Sequence, residues 1–510
     1  MGVKLMSVVM LVIFFAVMIG VGLQTRKKAS SVDGFVLGSR NVGPWITAFA
    51  FGTSYFSAVI FVGYAGQFGW KFGLASTWIG LGNAFIGSLL AWVILGRRTR
   101  VMTQHLDTKT MPEYFEKRFN SKALKLVASA IVFVFLIPYT ASIYNGLSKL
   151  FGMAFDIDYK ICVIVMALLT GIYVIAGGYM ATAINDFVQG IVMLIGIAAV
   201  ILSVLKGQGG FYAAVKELAA IPSDVPVTEG QLGAFTSFFG PDPISLLSVI
   251  ILTSLGTWGL PQMVHKFYAI KDEESIKTGT IISTIFAIVV AGGSYFLGGF
   301  SRLFADKAVY ADGKLQFDSL IPGMLSTLPD ILIGIVVILV LSASMSTLSS
   351  LVMTSSSTLT LDFIKGTIVK DMTEKKQIFI MRILIAVFIV VSVVLALNPP
   401  TFIAQLMGIS WGALAGAFLA PFLYGLYGRW VTNLSVWVSF IVGVGITVSN
   451  MYIGFFSNSI VAGAVAMIAG LILVPVVSLL TPKPDKKIVD DIFTCYDKKV
   501  VVSKKTSLEE

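Results

Sequence analysis

The sequence predicts an all-α, polytopic membrane protein with about 13 transmembrane helices. Three observations carry that expectation. Of its 510 residues, 56% are hydrophobic and only 13% charged. Apolar windows of about 20 residues, the length that crosses ~30 Å of hydrocarbon, recur along almost the whole chain. The basic residues, finally, gather in alternate loops. A soluble domain of this length would carry far more surface charge.

The windows fall at roughly 5–24, 45–70, 73–96, 123–148, 159–178, 187–206, 243–265, 279–303, 330–358, 379–397, 401–427, 431–453 and 459–481. The first is too long for a signal-peptide core and has no small-residue cleavage site before Arg26, so it reads as retained. The second holds a small, polar knot near its middle, from Gly52 through Ser57. The third to sixth are predominantly apolar and long enough to span. The seventh repeats the knot as Thr253-Ser254-Leu255-Gly256-Thr257-Trp258-Gly259-Leu260-Pro261. After the eighth, the ninth places an apolar run, Ile331 to Leu341, before a stripe of hydroxyls at Ser342, Ser344, Ser346, Thr347, Ser349 and Ser350. The last four are again apolar and closely spaced.

Lys and Arg set the orientation. Loops 25–44, 97–122, 179–186, 266–278, 359–378 and 428–430, with the tail from 482, lie on one side and, counting Lys125 and Arg382 just inside helix ends, hold 28 of the 37 basic residues. The other nine are Lys4, Lys71, Lys149, Lys160, Lys206, Lys216, Arg302, Lys307 and Lys314. The amino terminus is therefore expected outside and the carboxyl terminus in the cytoplasm, in the cell membrane. The net charge of +10 is then a topology signal and an attraction to the inner leaflet, not a nucleic-acid footprint. Cys162 and Cys495 fall on opposite sides, which excludes a disulfide framework.

Several function classes are excluded. His105 and His265 are far apart, there is no HExxH or Walker motif, and no nucleophile elbow: the one G-x-S-x-G string, Gly408 to Gly412, lies inside an apolar window. An ATP-driven pump and a membrane hydrolase are not expected, and the chain reads as a non-enzyme. Ionisable residues are almost missing from the windows, which argues against a proton relay or voltage sensor.

The two knots stand five windows apart. Glycine and proline interrupt helices, and interrupted spans at matching positions of two five-helix halves mark the binding site of an inverted-repeat transporter. A broken helix offers free carbonyls to a cation and an amino end to an anion without burying a charge. In the ninth window Ala343, Ser346 and Thr347 share one face. With the carbonyls of Thr53 and Phe56 they could supply five neutral oxygens. Such a set suits Na+ better than Ca2+ or Mg2+, which recruit carboxylates. Small and hydroxylic residues also pack membrane helices closely, so spacing alone leaves packing open.

Several motifs in order resemble the sodium/solute symporter family: Arg40 with Gly43-Pro44, Gly177-Gly178 with Asp186 and Gln189, Gly259-Leu260-Pro261, and Met345-Ser346-Thr347-Leu348-Ser349. The bacterial proline and pantothenate permeases are the branches most similar. The resemblance implies a LeuT-type 5+5 inverted repeat with one leading and two trailing helices. It divides the chain into a symporter domain over 1–481, with repeats at about 45–206 and 243–427, and a charged cytoplasmic tail at 482–510. It also implies a sodium site at Thr53, Phe56, Ala343, Ser346 and Thr347, and a substrate site at Ser54, Ser57, Tyr139, Thr257, Trp258, Ser410 and Trp411. Gating or coupling roles are implied for Arg40 and Asp186. The aromatic residues are equally plausible as packing, and Arg40 as a plain inside charge.

Branch markers divide. Proline permeases carry an acidic residue where Tyr55 stands and aromatic residues at Thr253 and Thr257, whereas Thr53-Ser54-Tyr55, Asn185-Asp186, Lys271-Asp272 and Pro399-Pro400 look like the pantothenate branch. The segment from Leu136 to Ser142 is similar to the proline branch. The expected function is sodium-coupled import, by alternating access, of a small organic solute bearing a carboxylate, either a proline-type amino acid or a pantothenate-type monocarboxylate. Na+ is the expected coupling ion, and the solute and the lipid bilayer are the expected partners, without nucleic acid or a required protein. A sodium-independent uniporter and a transporter-like sensor are the alternatives; the tail is too short for a kinase, and a channel would need a continuous polar pore.

Overall fold

The computed structural model describes residues 2–25, 30–155, 158–369 and 371–496. The tail residues from 497 onward, and Arg26, Lys27, Lys28 and Lys370 of the basic loops, lie outside the described residues. The chain is almost entirely helical. One two-stranded hairpin, Tyr310–Ala311 with Lys314–Leu315, departs from the all-α expectation. Among the described residues, ten helices are long and apolar enough to cross a membrane.

The helices are α1 (Gly2–Thr25), α2a (Pro44–Tyr55), α2b (59–72), α3 (77–105), α4 (Lys122–Phe155), α5 (159–177) and α6 (Gly178–Gly207). They continue with α7a (243–258), α7b (Pro261–Tyr268), α8 (Glu273–Gly298), α9 (330–368), α10 (Glu374–Leu397), α11 (Ile403–Tyr427), α12 (Asn433–Ile453), α13 (Ser459–Leu480) and α14 (Lys486–Phe493). Helices α5 and α6 meet at Gly178, whose φ of +59° and ψ of −163° suit only glycine.

Both knots are breaks. Helix α2a ends at Phe56, which has extended dihedrals (φ −98°, ψ 125°), and the chain resumes as helix at Val59. Helix α7a closes in a tight 3-10 turn at Gly256–Trp258; Leu260 is extended, and Pro261 starts α7b. Proline at a first helical position gives up an N–H that has no partner there anyway. Beside the breaks the backbones touch. A Cβ on Gly69 would fall 1.9 Å from Gly298 O, and one on Gly259 would fall 2.7 Å from Leu419 N. Only glycine allows α2b to lie on α8, and α7 on α11, that closely.

Helix α11 is the centre, buried along nearly its full length and packed on α4, α12 and α13. Helix α9 is buried against α4, α5–α6 and α2a. Leu168, Ile195, Leu202, Ile281 and Val390 face outward, as lipid-facing side chains do. The basic end of the molecule carries Arg40, the 97–122 segment and α14. Helix α14 buries Val489, Ile492 and Phe493, so this part of the tail is amphipathic and docked. Charged density at 483–491 had concealed that apolar face. The opposite end is covered by 208–242, where Asp224 binds Arg302, and by the 299–329 segment.

Candidate functional site

The break in α2 turns its last carbonyls toward α9. Ser346 Oγ lies 2.9 Å from Thr53 O and 3.0 Å from Ala343 O. Thr347 Oγ1 lies 3.3, 3.4, 3.2 and 3.1 Å from the carbonyl oxygens of Thr53, Ser54, Phe56 and Ala343. Thr53, Ala343, Ser346 and Thr347 are 0% exposed and Phe56 is 1%. All five residues of the sequence-derived sodium set therefore meet in one buried cluster, joined by Ser54 O. Two hydroxyl protons cannot serve four carbonyls, so acceptors outnumber donors. A cation with ligands ~2.4 Å away, the range of oxygen-bound Ca2+, holds neighbouring oxygens about 3.4 Å apart. The Thr347 spacings, 3.1–3.4 Å, approach that, whereas those of Ser346 are ordinary hydrogen-bond lengths. Neutral oxygens and the absence of a carboxylate fit a monovalent cation. Ser344 and Ser349 instead bond their own helix at Val340 O and Ser346 O.

Toward the basic end the cluster continues through hydroxyls to a buried ion pair. Ser54 Oγ is 2.8 Å from Ser350 Oγ, which accepts a hydrogen bond from Lys266 Nζ at 3.0 Å. Lys266 Nζ is 3.5 Å from Asp186 Oδ2, with side chains 3% and 1% exposed. Asp186 is thus buried rather than at a solvated helix end. Ionisable residues are almost missing from the windows, yet Lys266, one residue past the seventh, is buried: α7b runs three residues beyond that window's end and folds back into the protein. Ser54 lies on this path, away from the aromatic residues of the substrate set.

Arg40 sits on a left-handed turn (φ +53°). Its guanidinium donates to Thr103 Oγ1, Thr103 O, Thr108 O and Tyr268 O. Burial lowers its pKa, against the nearby Tyr268, Asp33, Asp107 and Glu113. It clamps the segment before α2, the end of α3 and the end of α7b together. It makes no contact with Asp186.

Above the cluster lies an aromatic group. The Trp411 ring stacks on Tyr55 (centroids 6.0 Å, 22°) and meets Tyr139 edge-on (5.9 Å, 85°). A Cβ on Gly256 would meet Trp411 at 2.9 Å, so that glycine seats the indole on α7a. Tyr139 lies beside Ser57 and Trp411, yet Tyr139 Oη, Trp411 Nε1 and Ser410 Oγ are buried without a well-formed hydrogen bond. So are Asn83 Nδ2 and Tyr295 Oη, which lie side by side. Buried polar atoms are normally paired; Tyr139 pairs only loosely with Ser57 and Trp411, and Asn83 with Tyr295, which leaves these atoms of α3, α4, α8 and α11 with hydrogen-bonding capacity for a polar ligand or water. Thr257 and Trp258 differ: Thr257 Oγ1 donates to Gly87 O and Ser254 O, and Trp258 Nε1 to Ile86 O. Their polar groups fasten α7a to α3. Asn83 and Tyr295 escaped the sequence reading; the signal was a lone amide inside an apolar window.

At the opposite end, Asp318 accepts a hydrogen bond from Ile403 N, the first turn of α11, at 3.2 Å. Burial pushes its carboxyl up to about 6, partly offset by that N–H and by Lys149.

The sodium:solute symporter family model matches residues 35–443. The osmoregulated proline transporter OpuE of Bacillus subtilis (strain 168) is 28% identical over 487 residues, covering 94% of this chain and 96% of the relative. The sodium/proline symporter of Staphylococcus aureus (strain JH9) is 28% identical over 508 residues, covering 95% and 94%. Among solved structures, a substrate-bound, outward-open Na+-coupled sialic acid symporter superimposes with a TM-score of 0.76 at 16% identity, over 94% of this chain and 98% of that one. Mhp1, a nucleobase-cation-symport-1 family transporter in a closed conformation, gives 0.53 at 12% identity, over 90% and 98%. At those identities the structural likeness speaks for the fold. The family match runs from before α2 into α12 and takes in both broken helices, and this chain belongs to the sodium:solute symporter family.

Proposed function

We propose that this protein imports a small zwitterionic solute of the proline type together with Na+, by alternating access across the cell membrane. One observation carries the reading: a buried, carboxylate-free cluster of oxygens at the α2 break adjoins an aromatic group whose buried polar atoms are only loosely paired. Na+ is held by Thr53, Phe56, Ala343, Ser346 and Thr347, with Ser54 O as a sixth neighbour. The solute lies against Tyr139 and Trp411, contacting Ser57, Ser410, Asn83 and Tyr295, while Thr257 and Trp258 fix the wall behind it. Asp186 and Arg40 govern closure at the basic end, which faces the cytoplasm. The names of the two relatives favour proline over pantothenate.

This reading includes thirteen spans. α1, α5 and the α2a–α2b pair join the longer helices, with α2–α6 and α7–α11 as the two inverted halves and α12–α13 trailing. The boundaries remain a symporter domain over 1–481 and a tail from 482. One Na+ crossing ~100 mV releases about 2.3 kcal/mol, and a tenfold gradient adds about 1.4 kcal/mol. Together these sustain roughly 500-fold accumulation of a neutral solute, so no ATP is required. The test is uptake of labelled proline, pantothenate, short monocarboxylates and sugars into proteoliposomes after a sodium jump. Sodium-stimulated proline uptake is expected; proline uptake indifferent to sodium would favour a uniporter, and pantothenate in its place would reverse the choice of solute.

A further inference from the structure

The sodium and solute sites leave the buried ammonium of Lys266 unused. Among the described residues, Lys266–Asp186 is the one ion pair with both side chains below a tenth exposed. Its setting has three parts: Asp186 Oδ2 at 3.5 Å, Ser350 Oγ at 3.0 Å, and the Tyr179 ring with its centroid 5.3 Å away. An ammonium has only protons to give, so Ser350 accepts from it and is left to donate to Ser54 Oγ. Ser54 is the residue after Thr53, whose carbonyl receives Ser346 and Thr347. A directed hydrogen-bond chain thus runs from Lys266 through Ser350 to Ser54, whose own carbonyl belongs to the oxygen cluster. It joins α7b, α9, α2a and α6.

The pair is also incompletely satisfied. Neither oxygen of Asp186 accepts a well-formed hydrogen bond, and Gln262 Oε1, His265 Nε2 and Tyr179 Oη around it are unpartnered. Beside it is a cavity of about 10 Å3 lined by Tyr179, Thr182, Gln262, His265, Ser350 and Thr354, at the lower limit for one water. The 3.5 Å separation and the room for a water beside it leave the pair looser than a contact that only holds the fold. This arrangement suits a contact that forms in one state and is released in another.

We propose that Lys266 is a tethered cation that closes the route between the oxygen cluster and the basic end, and that its release from Asp186 and Ser350 couples sodium occupancy to opening there. While Lys266 is in place, a cation leaving the cluster meets a fixed positive charge. When α7b moves away from α6 and α9, the same motion withdraws that charge, frees Ser350 from its donor and loosens Ser54 beside the cluster. Lys266 is a positioning residue: it touches neither the cation nor the solute.

This inference rests on the sodium-symport reading, and the experiment separates the two. A cysteine replaces Thr354 in a chain whose Cys162 and Cys495 are changed to serine, and its reaction with an impermeant maleimide is followed in inside-out vesicles with and without Na+. In the parent, Na+ is expected to slow labelling. Lys266→Met should speed labelling on the order of tenfold and abolish the sodium effect, the size of a typical coupling between sites. Lys266→Arg should behave as the parent. Because Lys266→Met strands a buried carboxylate, Lys266→Met with Asp186→Asn serves as the second variant. It removes both charges and should match the faster labelling. Parent-like labelling and sodium protection in the double variant would overturn the tether, whatever its transport rate. Loss of Na+ protection in the parent would instead count against the sodium site itself, and the labelling rates of the variants would still decide whether Lys266 closes the route.

Discussion

Replacing Thr347 by valine keeps the β-branched shape and removes one hydroxyl, which lies within 3.4 Å of four carbonyl oxygens drawn from α2a and α9. With Na+ bound, the cluster loses one of five ligands, and an interaction with a charged partner is worth about 1.5–3 kcal/mol. Without Na+, the same hydroxyl donates to one of those carbonyls, a bond worth about 0.5–1.5 kcal/mol, and valine loses that too. The difference, about 1–2 kcal/mol, is the cost to sodium affinity, so the sodium concentration for half-maximal uptake should rise roughly 5- to 30-fold. Thr347→Ser keeps the oxygen and should stay near the parent. Ser346→Ala, whose hydroxyl touches two carbonyls, should shift in the same direction. The assay is a sodium titration of initial proline uptake in proteoliposomes, with protein content normalised. Unchanged sodium dependence in both Thr347→Val and Ser346→Ala would refute the assignment of the cluster.

Tyr139→Phe and Asn83→Ala each remove one loosely paired polar group at the aromatic site, and should raise KM for the solute roughly 2- to 10-fold with sodium dependence unchanged; an equal shift in sodium affinity would mean a packing role. A cysteine in place of exposed Lys487, in the chain without Cys162 and Cys495, should react with impermeant reagent only in inside-out vesicles, and labelling of intact cells would overturn the orientation. Asp318 gives a pH dependence at the opposite face. Its carboxyl is pushed up to about 6 where it is buried against Ile403 N, Lys149 and Tyr159, and returns to about 3.9 once solvated. The buried form therefore holds its proton more tightly. As pH falls from 7 through 6 toward 4, the closed arrangement of the 299–329 segment on α11 gains up to about 3 kcal/mol, and above 6 the effect is absent. Uptake should decline as external pH drops through about 6, while Asp318→Asn should give a flat profile; an identical decline in that variant would remove Asp318 from the cause.

The elements that were legible in the sequence are those whose signal is local. Glycine and proline at 256, 259 and 261 announce a broken helix wherever they sit in an apolar window, and the i, i+3, i+4 spacing of Ala343, Ser346 and Thr347 fixes a shared helix face without knowledge of the partner. The partner in α2a was legible only as a second knot. What escaped depends on where a window's end goes in space. Lys266 follows the seventh window directly, and a lysine at a helix end on the basic side reads as solvated. Whether its stem turns outward or folds back onto Asp186, 80 residues earlier in the sequence, is decided by the tilt of α7b after the break. Asn83 and Tyr295 escaped for a related reason: one amide and one phenol in apolar spans carry no periodicity, and their meaning appears only where two unpaired atoms are brought side by side. The docked face of α14 was hidden by the lysines and aspartates that surround it.

The placement of Lys266 also bears on how much charge crosses the membrane in each cycle. A buried carboxylate such as Asp186 would ordinarily attract a second cation, but its partner is already supplied by the chain. The oxygen cluster has no carboxylate of its own, so on the proposed reading a cation bound there would lack the added attraction that slows departure; a transport site must be favourable enough to fill and weak enough to empty. With one cluster for one Na+, and a zwitterionic solute adding no net charge, one positive charge should move per turnover. An inside-negative potential of ~100 mV then contributes about 2.3 kcal/mol, which multiplies the steady-state accumulation ratio by roughly 50. The measurement is proline accumulation in proteoliposomes clamped at 0 and at about −100 mV by a potassium gradient with valinomycin, at equal sodium on both sides. An accumulation ratio insensitive to the potential would remove sodium from the transport step. A response near the square of the expected one would mean a second cation, and with it that Lys266 does not occupy Asp186 throughout the cycle.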